Sequence, residues 1–497
     1  MSKIAIIGSG FSGISAASYL GKEGHEVHVF EKNSDVGGRA RQFTTDNGYL
    51  FDMGPSWYWM PGVFEKFFND FGFKVEDFYK LKLLDPAFDV VYAWNDTLHI
   101  PANFEELCKI FESIETGSAA KLIEFLEEAE YKYKTGIENL VYKPGLSIME
   151  FADMEVIRGM FRLQLFSSFS KHVKKYFTHP KLVALMEFPV LFLGAMPEET
   201  PALYSLMNYA GLKLGTYYPE GGFGKVISGM QKVAESTGVR FHFDSTVEEI
   251  EVLNKSANGL KVNGKRIEFD AIIAASDYHH TESALLPEEY RNYNEEYWSK
   301  KTFAPSSLIY YLGVKKKLPL NHHTLFFDES LAEHSVEIYK QPKWPAKPLF
   351  YVSCTSKSDT QVAPDGHENL FLLMPIAPGL TDNEEIREKY FHIMMDRLEA
   401  HLGTTIRDVV DFKRSYCVMD FIKDYNSYKG NAYGLANTLM QTAILKPKIR
   451  NKIIPNLYYT GQLTVPGPGV PPSIISGKVA ADQLMTYLNK ASHEITV

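Results

Sequence analysis

The chain has 497 residues, of which 45% are hydrophobic and 23% charged, with a formal net charge of −9. That length exceeds one compact core and the composition is that of an ordered globular protein, so two or three domains are expected. The negative balance argues against nucleic acid as the main partner. Cys108, Cys354 and Cys417 lie far apart without a CxxC pair, which indicates a reducing compartment and no zinc site.

From the N-terminus, Lys3–Ile7 reads as a buried strand and not a secretory signal, because its apolar run ends at once in glycines. Gly8-Ser9-Gly10-Phe11-Ser12-Gly13 follows, then a helical run over Ile14–Leu20. A second strand, Glu26–Phe30, ends at Glu31 and Lys32. Gly8 allows the tight turn, Gly10 lets the backbone approach a pyrophosphate, and Gly13 lets the helix pack closely on the sheet. The helix N-terminus then faces the phosphates, and Glu31 can accept a hydrogen bond from a ribose hydroxyl. Strand, GxGxxG, helix, strand and acid together predict a dinucleotide site.

Next come Gly37-Gly38-Arg39-Ala40, a second close backbone approach with a cation for phosphate, and Asp52-Met53-Gly54-Pro55-Ser56-Trp57, a DxGP turn. This arrangement resembles the FAD-binding signature of the flavin amine oxidase and carotenoid desaturase superfamily. The resemblance favours FAD over NAD, since the longer dinucleotide needs loops beyond the first βαβ unit.

Phe151–Leu214 is rich in Phe, Leu and Met. Phe161, Leu165 and Phe169 recur at helical spacing, and Lys171, Lys174, Lys175 and Lys181 follow with no acid between them. An apolar face beside a basic patch suits a protein lying on anionic lipid. No stretch approaches the ~20 apolar residues needed to span a bilayer. The longest, Leu182 to Met196, is interrupted by Glu187 and Pro189. The expected location is therefore cytoplasmic, peripherally associated with a membrane.

Tyr218–Gly224 leads into a helix over Lys225–Ser236, and short strands alternate with turns as far as Ala271–Ala275. This reads as a return of the chain to the nucleotide domain, with the backbone near Val247 meeting the adenine. His279-His280 and His322-His323 are adjacent pairs that point to opposite faces and do not chelate together, so they are read as structural or surface residues. No Ser-His-Asp arrangement, metal-ligand cluster or carboxylate pair stands out, and the catalytic residues stay unassigned.

Near the C-terminus a strand, Asn456–Thr460, ends at Gly461 and Gln462. Pro466 and Pro468 stiffen the loop through Gly469 to Val470. A helix over Ile474–Leu484 follows, with Gly477 at a close crossing. The loop and the amides of that helix are expected to grip the flavin end of the cofactor, near the N1/C2=O edge.

With these segments in view, the sequence resembles the bacterial carotenoid desaturases of the phytoene desaturase family over nearly its whole length. Phe192 to Pro197, Tyr218-Pro219-Glu220-Gly221-Gly222, Tyr311-Leu312-Gly313, Asp424-Tyr425-Asn426-Ser427, Gly434-Leu435 and Gln441 carry the likeness. It is similar to the hydroxycarotenoid 3,4-desaturases within that family. Gln462, Val465 and Pro471-Pro472 depart from the family's usual late loop.

The resemblance implies an α/β fold: a Rossmann-like FAD domain from residues 1–80, 217–290 and 445–497, and a mixed-sheet substrate domain from 81–216 and 291–444 with a helical, membrane-facing cap. It also implies an FAD-dependent oxidoreductase acting on a hydrophobic carotenoid. Hydride passes to flavin N5, and oxygen or a membrane quinone is the final acceptor. Alternatives are phytoene desaturation, polyene saturation or isomerisation, amine oxidation on the same scaffold, and a non-enzymatic lipid carrier. If Glu31 binds the ribose, Glu31→Ala should weaken FAD retention by ~1–3 kcal/mol, the range for a charged hydrogen bond. Flavin titration of the stripped protein measures this, and parental affinity in the variant would remove the adenosine-end assignment.

Overall fold

The computed structural model describes residues 1–146, 163–164, 167–192 and 194–495. At its centre is a parallel five-stranded sheet in the order Leu457–Tyr459, Ala271–Ala274, Lys3–Ile7, Glu26–Phe30, Arg240–His242. The opening strand holds the middle place. Ile4 and Ile6 pack under the helical layer, while Ala5 and Ile7 face a core shared with Val247, Ile250 and Leu260. Successive residues of a strand point to opposite faces, so a strand covered on both sides is apolar at every position. The second of these cores is roofed by a three-stranded antiparallel sheet, Val247–Leu253, Ser256–Val262 and Lys265–Glu268, which carries the chain from the edge strand Arg240–His242 to Ala271–Ala274 on the other side of the opening strand.

A second sheet of seven strands runs in the order Val410–Tyr416, Ser306–Val314, Glu368–Ile376, Phe350–Ser353, His323–Phe326, Phe88–Ala93, Asp96–Ile100. All neighbours are antiparallel except His323–Phe326 and Phe88–Ala93, which run parallel. Every residue of Ser306–Val314 is buried. Leu308, Tyr310 and Leu312 pack on the helix Glu384–Leu402 through Phe391, Met394 and Leu398. Ile309 and Tyr311 take the opposite face, with Leu325, Tyr351, Phe371 and Leu373. That second face looks toward the parallel sheet.

Two helices differ from the sequence reading at their starts. The first runs Phe11–Lys22, so the second half of the glycine loop is already its first turn. The last runs Val470–Ile495 and takes in Pro471 and Pro472. A proline in the opening turn costs a helix nothing, because the first N–H groups have no intrahelical acceptor. The two helices cross at Gly477: a Cβ there would lie 2.3 Å from the Ser12 carbonyl oxygen and 2.7 Å from Ser15 Cβ. Ser15 Oγ donates to the Ile474 carbonyl at 2.7 Å across the same crossing.

The proposed lipid-facing stripe does not hold at Phe169. This residue opens the helix Phe169–Tyr176 but is fully buried in a core with Leu122, Phe125 and Val173, which gives its ring more apolar neighbours than a surface position offers. Lys171, Lys174 and Lys175 of the same helix are exposed. Phe161 and Leu165 lie outside the described residues. Among the described residues no helix is long and apolar enough to cross a membrane.

The helix crossing generates a test. Gly477→Ala puts a methyl where a backbone oxygen already stands and should destabilise the protein by about 1–3 kcal/mol, the range for overpacking. Gly62→Ala, at a helical position with no atom within 4 Å of the new Cβ, should be neutral or stabilising by up to about 1 kcal/mol. Denaturant titration of the two variants measures the contrast, and equal midpoints would mean the crossing is not tight.

Candidate functional site

A cavity of about 760 Å³ runs from the glycine loop of the parallel sheet to the inner face of the seven-stranded sheet. Gly8, Gly10, Phe11, Ser12, Glu31, Lys32, Gly38, Arg39, Ala40, Gly54, Pro55, Ser56, Trp57, Val247, Gly461, Gln462, Gly469 and Val470 all line it. Gly13 and Ile474 do not. Gly13 sits one layer back, where a Cβ would come within 2.1 Å of the Gly8 carbonyl oxygen, and Ile474 is buried in the core between the crossing helices. Both therefore shape the wall from behind.

At the sheet end the helix Phe11–Lys22 begins at Gly10 without a capping side chain, leaving its first N–H groups to the cavity. Gly10 has open space in front of it, and a Cβ on Gly38 would lie 3.2 Å from Gly10 Cα, so the two glycine loops touch. Glu31 is buried. Its Oε2 accepts from Ser9 N at 3.0 Å and Ser9 Oγ at 2.9 Å, and its Oε1 from Asn33 N at 3.0 Å and Asn33 Nδ2 at 2.8 Å. Four donors occupy the usual capacity of a carboxylate, so a ribose hydroxyl would share or displace one. The Glu31 carbonyl also accepts from Ser245 N at 2.8 Å, which brings Val247 alongside. Lys32 donates to the Lys423 carbonyl at 2.6 Å and to Asn426 Oδ1 at 3.1 Å, pinning this end to the C-terminal end of the helix Val418–Tyr425.

Arg39 lines the cavity beside the glycine loops. Its Nη2 donates to Ser427 Oγ at 3.1 Å and to the Asn431 carbonyl at 3.4 Å, its guanidinium lies 5.0 Å from the Tyr425 ring centre, and its buried Nε has no partner. With its amide oriented to satisfy both ends, Gln462 accepts from Arg39 Nη2 at 2.8 Å and donates to the Tyr433 carbonyl at 3.2 Å. Burial lowers the Arg39 pKa, partly offset by Asp277; burial likewise raises that of Asp277. Buried charge needs close pairing. An enclosed guanidinium held by neutral oxygens, beside an open helix N-terminus, fits a diphosphate. A flavin dinucleotide would thus be held by Gly10–Ser12 and Arg39 at its phosphates and by Glu31 at its ribose.

The far jaw is the late loop. Gly461 N donates to Ser476 Oγ at 3.0 Å, Thr460 Oγ1 donates to the same atom at 2.9 Å, and a Cβ on Gly461 would lie 3.3 Å from Ser12 Oγ. The terminal proline-rich loop and the opening glycines therefore wall one cavity.

Beyond these loops the lining turns apolar. Trp57, Trp59, Phe188, Leu203, Leu206 and Met207 flank it. One row crosses four adjacent strands of the seven-stranded sheet: Ile309 opposite Leu373, Leu373 opposite Tyr351, Tyr351 opposite Leu325, all facing the cavity. Sequence patterns missed this row, since only strand register brings its members together. They also missed Arg41, whose Nη2 lies 2.6 Å from Asp424 Oδ2, although the motif Asp424–Ser427 had stood out. The histidine pairs are less plain than expected. His280 lines the cavity with its Nε2 3.0 Å from Asn426 Nδ2, and His323 stacks on Trp57 at 4.2 Å.

Comparison with known proteins agrees with this geometry. The family model for flavin containing amine oxidoreductase matches residues 11–485. A carotenoid 3,4-desaturase of Haloarcula japonica is 40% identical over 484 residues, covering 97% of this chain and 98% of the other. A zeta-carotene-forming phytoene desaturase of Myxococcus xanthus is 28% identical over 495 residues, covering 98% and 94%. Among solved structures, an oxidoreductase from Methanosarcina mazei aligns over 97% of this chain and all of its own, with a TM-score of 0.63 at 17% identity, which speaks to the fold. A nucleotide-type cradle opening into an apolar chamber, together with the match over residues 11–485, leaves one assignment: the chain belongs to the flavin-containing amine oxidoreductase family, among its carotenoid desaturases.

Proposed function

We propose that this protein is an FAD-dependent carotenoid desaturase that introduces a C=C bond near the end of a long polyene, at the 3,4 position. One observation carries the reading: a single cavity joins the phosphate-type cradle at Gly10 and Arg39 to an apolar chamber whose sheet wall holds Ile309, Leu325 and Leu373. The likeness to the Haloarcula japonica 3,4-desaturase supports the position of the bond. Two domains divide the labour, an FAD domain from 1–80, 217–290 and 445–497 and a substrate domain from 81–216 and 291–444.

FAD, when bound, would supply the oxidant for hydride loss from an allylic carbon. The chain's own task is to place that carbon and keep water away. Trp57, Phe188 and the sheet row hold the hydrocarbon by shape, and position is what an uncharged substrate needs most. From water each buried CH₂ would contribute about 0.8 kcal/mol. A polyene already dissolved in lipid gains none of this, so the cavity has to open near a bilayer. The lining reaches the surface at Ala443, beside exposed Met440 and Leu445, and exposed Lys171, Lys174 and Lys175 are available to anionic headgroups. These features support peripheral docking. Oxygen or a membrane quinone would reoxidise the flavin.

Amine oxidation is the competing chemistry of the family. The apolar row favours a polyene, since an ammonium entering it would lose its hydration with no carboxylate among the row's own residues to receive it. The deciding experiment incubates the flavin-loaded protein, on vesicles, with a panel of carotenes and of amines. A polyene should bleach the flavin under anaerobic conditions and gain conjugation, seen as a red shift of its absorbance. Bleaching by amines alone would overturn the reading.

A further inference from the structure

The inner row of the seven-stranded sheet has one polar member. Ile309, Leu325 and Leu373 are hydrocarbon, whereas Tyr351 presents a phenol to the cavity. Its Oη lies 2.6 Å from His323 Nδ1 and 3.1 Å from Ser56 Oγ, and Ser56 is itself a lining residue. His323 is fully buried and stacked on Trp57, with ring planes 10° apart. Burial drives its pKa well below the usual value, so it stands neutral.

The pair continues outward. The His322 ring centre is 4.4 Å from that of His323, and His322 Nδ1 lies 2.7 Å from Oγ of half-buried Ser358. Among the described residues neither histidine has a partner on Nε2, although both atoms are buried. A purely structural tyrosine–histidine pair would satisfy those nitrogens, because a buried polar atom left unpaired costs about 1–3 kcal/mol. Two such atoms on adjacent rings, one ring bonded to a phenol on the cavity wall, point to a task.

We propose that Tyr351 Oη takes the proton that desaturation releases, and that His323 is the positioning residue that receives the phenol hydrogen. The inference rests on the desaturase reading. The step balances as follows. One allylic C–H bond would surrender its hydrogen with both electrons to bound oxidised flavin, leaving a conjugated cation. A C–H bond on the neighbouring carbon then breaks, its electron pair becoming the new π bond. That proton passes to Tyr351 Oη while the phenol hydrogen moves to His323 Nδ1. The substrate would have lost two hydrogens, the flavin gained one with its electron pair, and His323 would hold one proton. A proton beside a carbocation is acidic enough for a neutral imidazole to accept it even where burial disfavours the imidazolium.

The test uses flavin-loaded Tyr351→Phe and His323→Gln with a polyene deuterated at the carbon that loses the proton. Positioned acid–base groups contribute typically 10²–10⁴-fold, so anaerobic flavin bleaching at saturating polyene should slow about 100-fold in Tyr351→Phe. The deuterium effect at that carbon should grow in both variants. Polyene affinity, read by quenching of tryptophan fluorescence without turnover, should stay at the parental value. Parental bleaching rates, or slower bleaching with weakened affinity and an unmoved isotope effect, would overturn the proposal and leave Tyr351 a packing residue. If Tyr351→Phe does not retain flavin, His323→Gln decides by the same readings. A parent bleached by no polyene would remove the desaturase reading itself, a result distinct from a parent and variant bleached equally fast.

Discussion

The structure depends on the crossing of two helices drawn from opposite ends of the chain. Ser15 donates to the carbonyl of Ile474 across a separation of 459 residues, and Gly477 lets the second helix sit on the backbone of the first at Ser12. A side chain at that point would force the helices apart, since its Cβ would lie 2.3 Å from the Ser12 oxygen. Because both helices begin at the cavity, their crossing fixes the distance between the phosphate-type cradle and the late loop. The parallel sheet reinforces this, pairing Ile272–Ala274 with Leu457–Tyr459 on one side and Lys3–Ile7 on its other.

On that frame the cavity grades from polar to apolar along its length. Glu31, Arg39 and Asp277 cluster at the sheet end, where backbone donors and a helix N-terminus meet charge at short range. Trp57, Phe188 and the sheet row occupy the other end. Gln462 sits between the two. Its side chain bridges Arg39 and the Tyr433 carbonyl, and thereby ties the late loop to the nucleotide side and the substrate side together. Gln462 thus has a structural role: it provides an acceptor for an enclosed guanidinium otherwise held by Ser427 and a carbonyl.

Much of the cradle was legible in the sequence because its parts are local. GxGxxG, the acid at position 31 and the GGR turn each act within a few residues, and their spacing carries the geometry. The late loop was legible for a related reason, since proline and glycine restrict the backbone wherever they stand. The start of the last helix was misjudged because Pro471 and Pro472 look like loop residues until their place in the first turn is known. The stripe ending in Phe169 was misjudged because helical spacing marks an apolar face without saying whether lipid or protein covers it. Here Phe125 and Val173 share the core that covers it.

The sequence by itself determined the chemistry of the cradle: which backbone turns are possible, where anions are welcome and which segments are apolar enough to be covered on both faces. Those properties belong to individual residues and their near neighbours. Only the tertiary structure decided what stands opposite what. The row Ile309–Leu373–Tyr351–Leu325 draws on four strands whose register no local pattern encodes, and the meeting of Tyr351 with Ser56 and His323 follows from that register. Side-chain contacts between distant segments depend on how whole sheets and helices pack, and packing is a property of the assembled core.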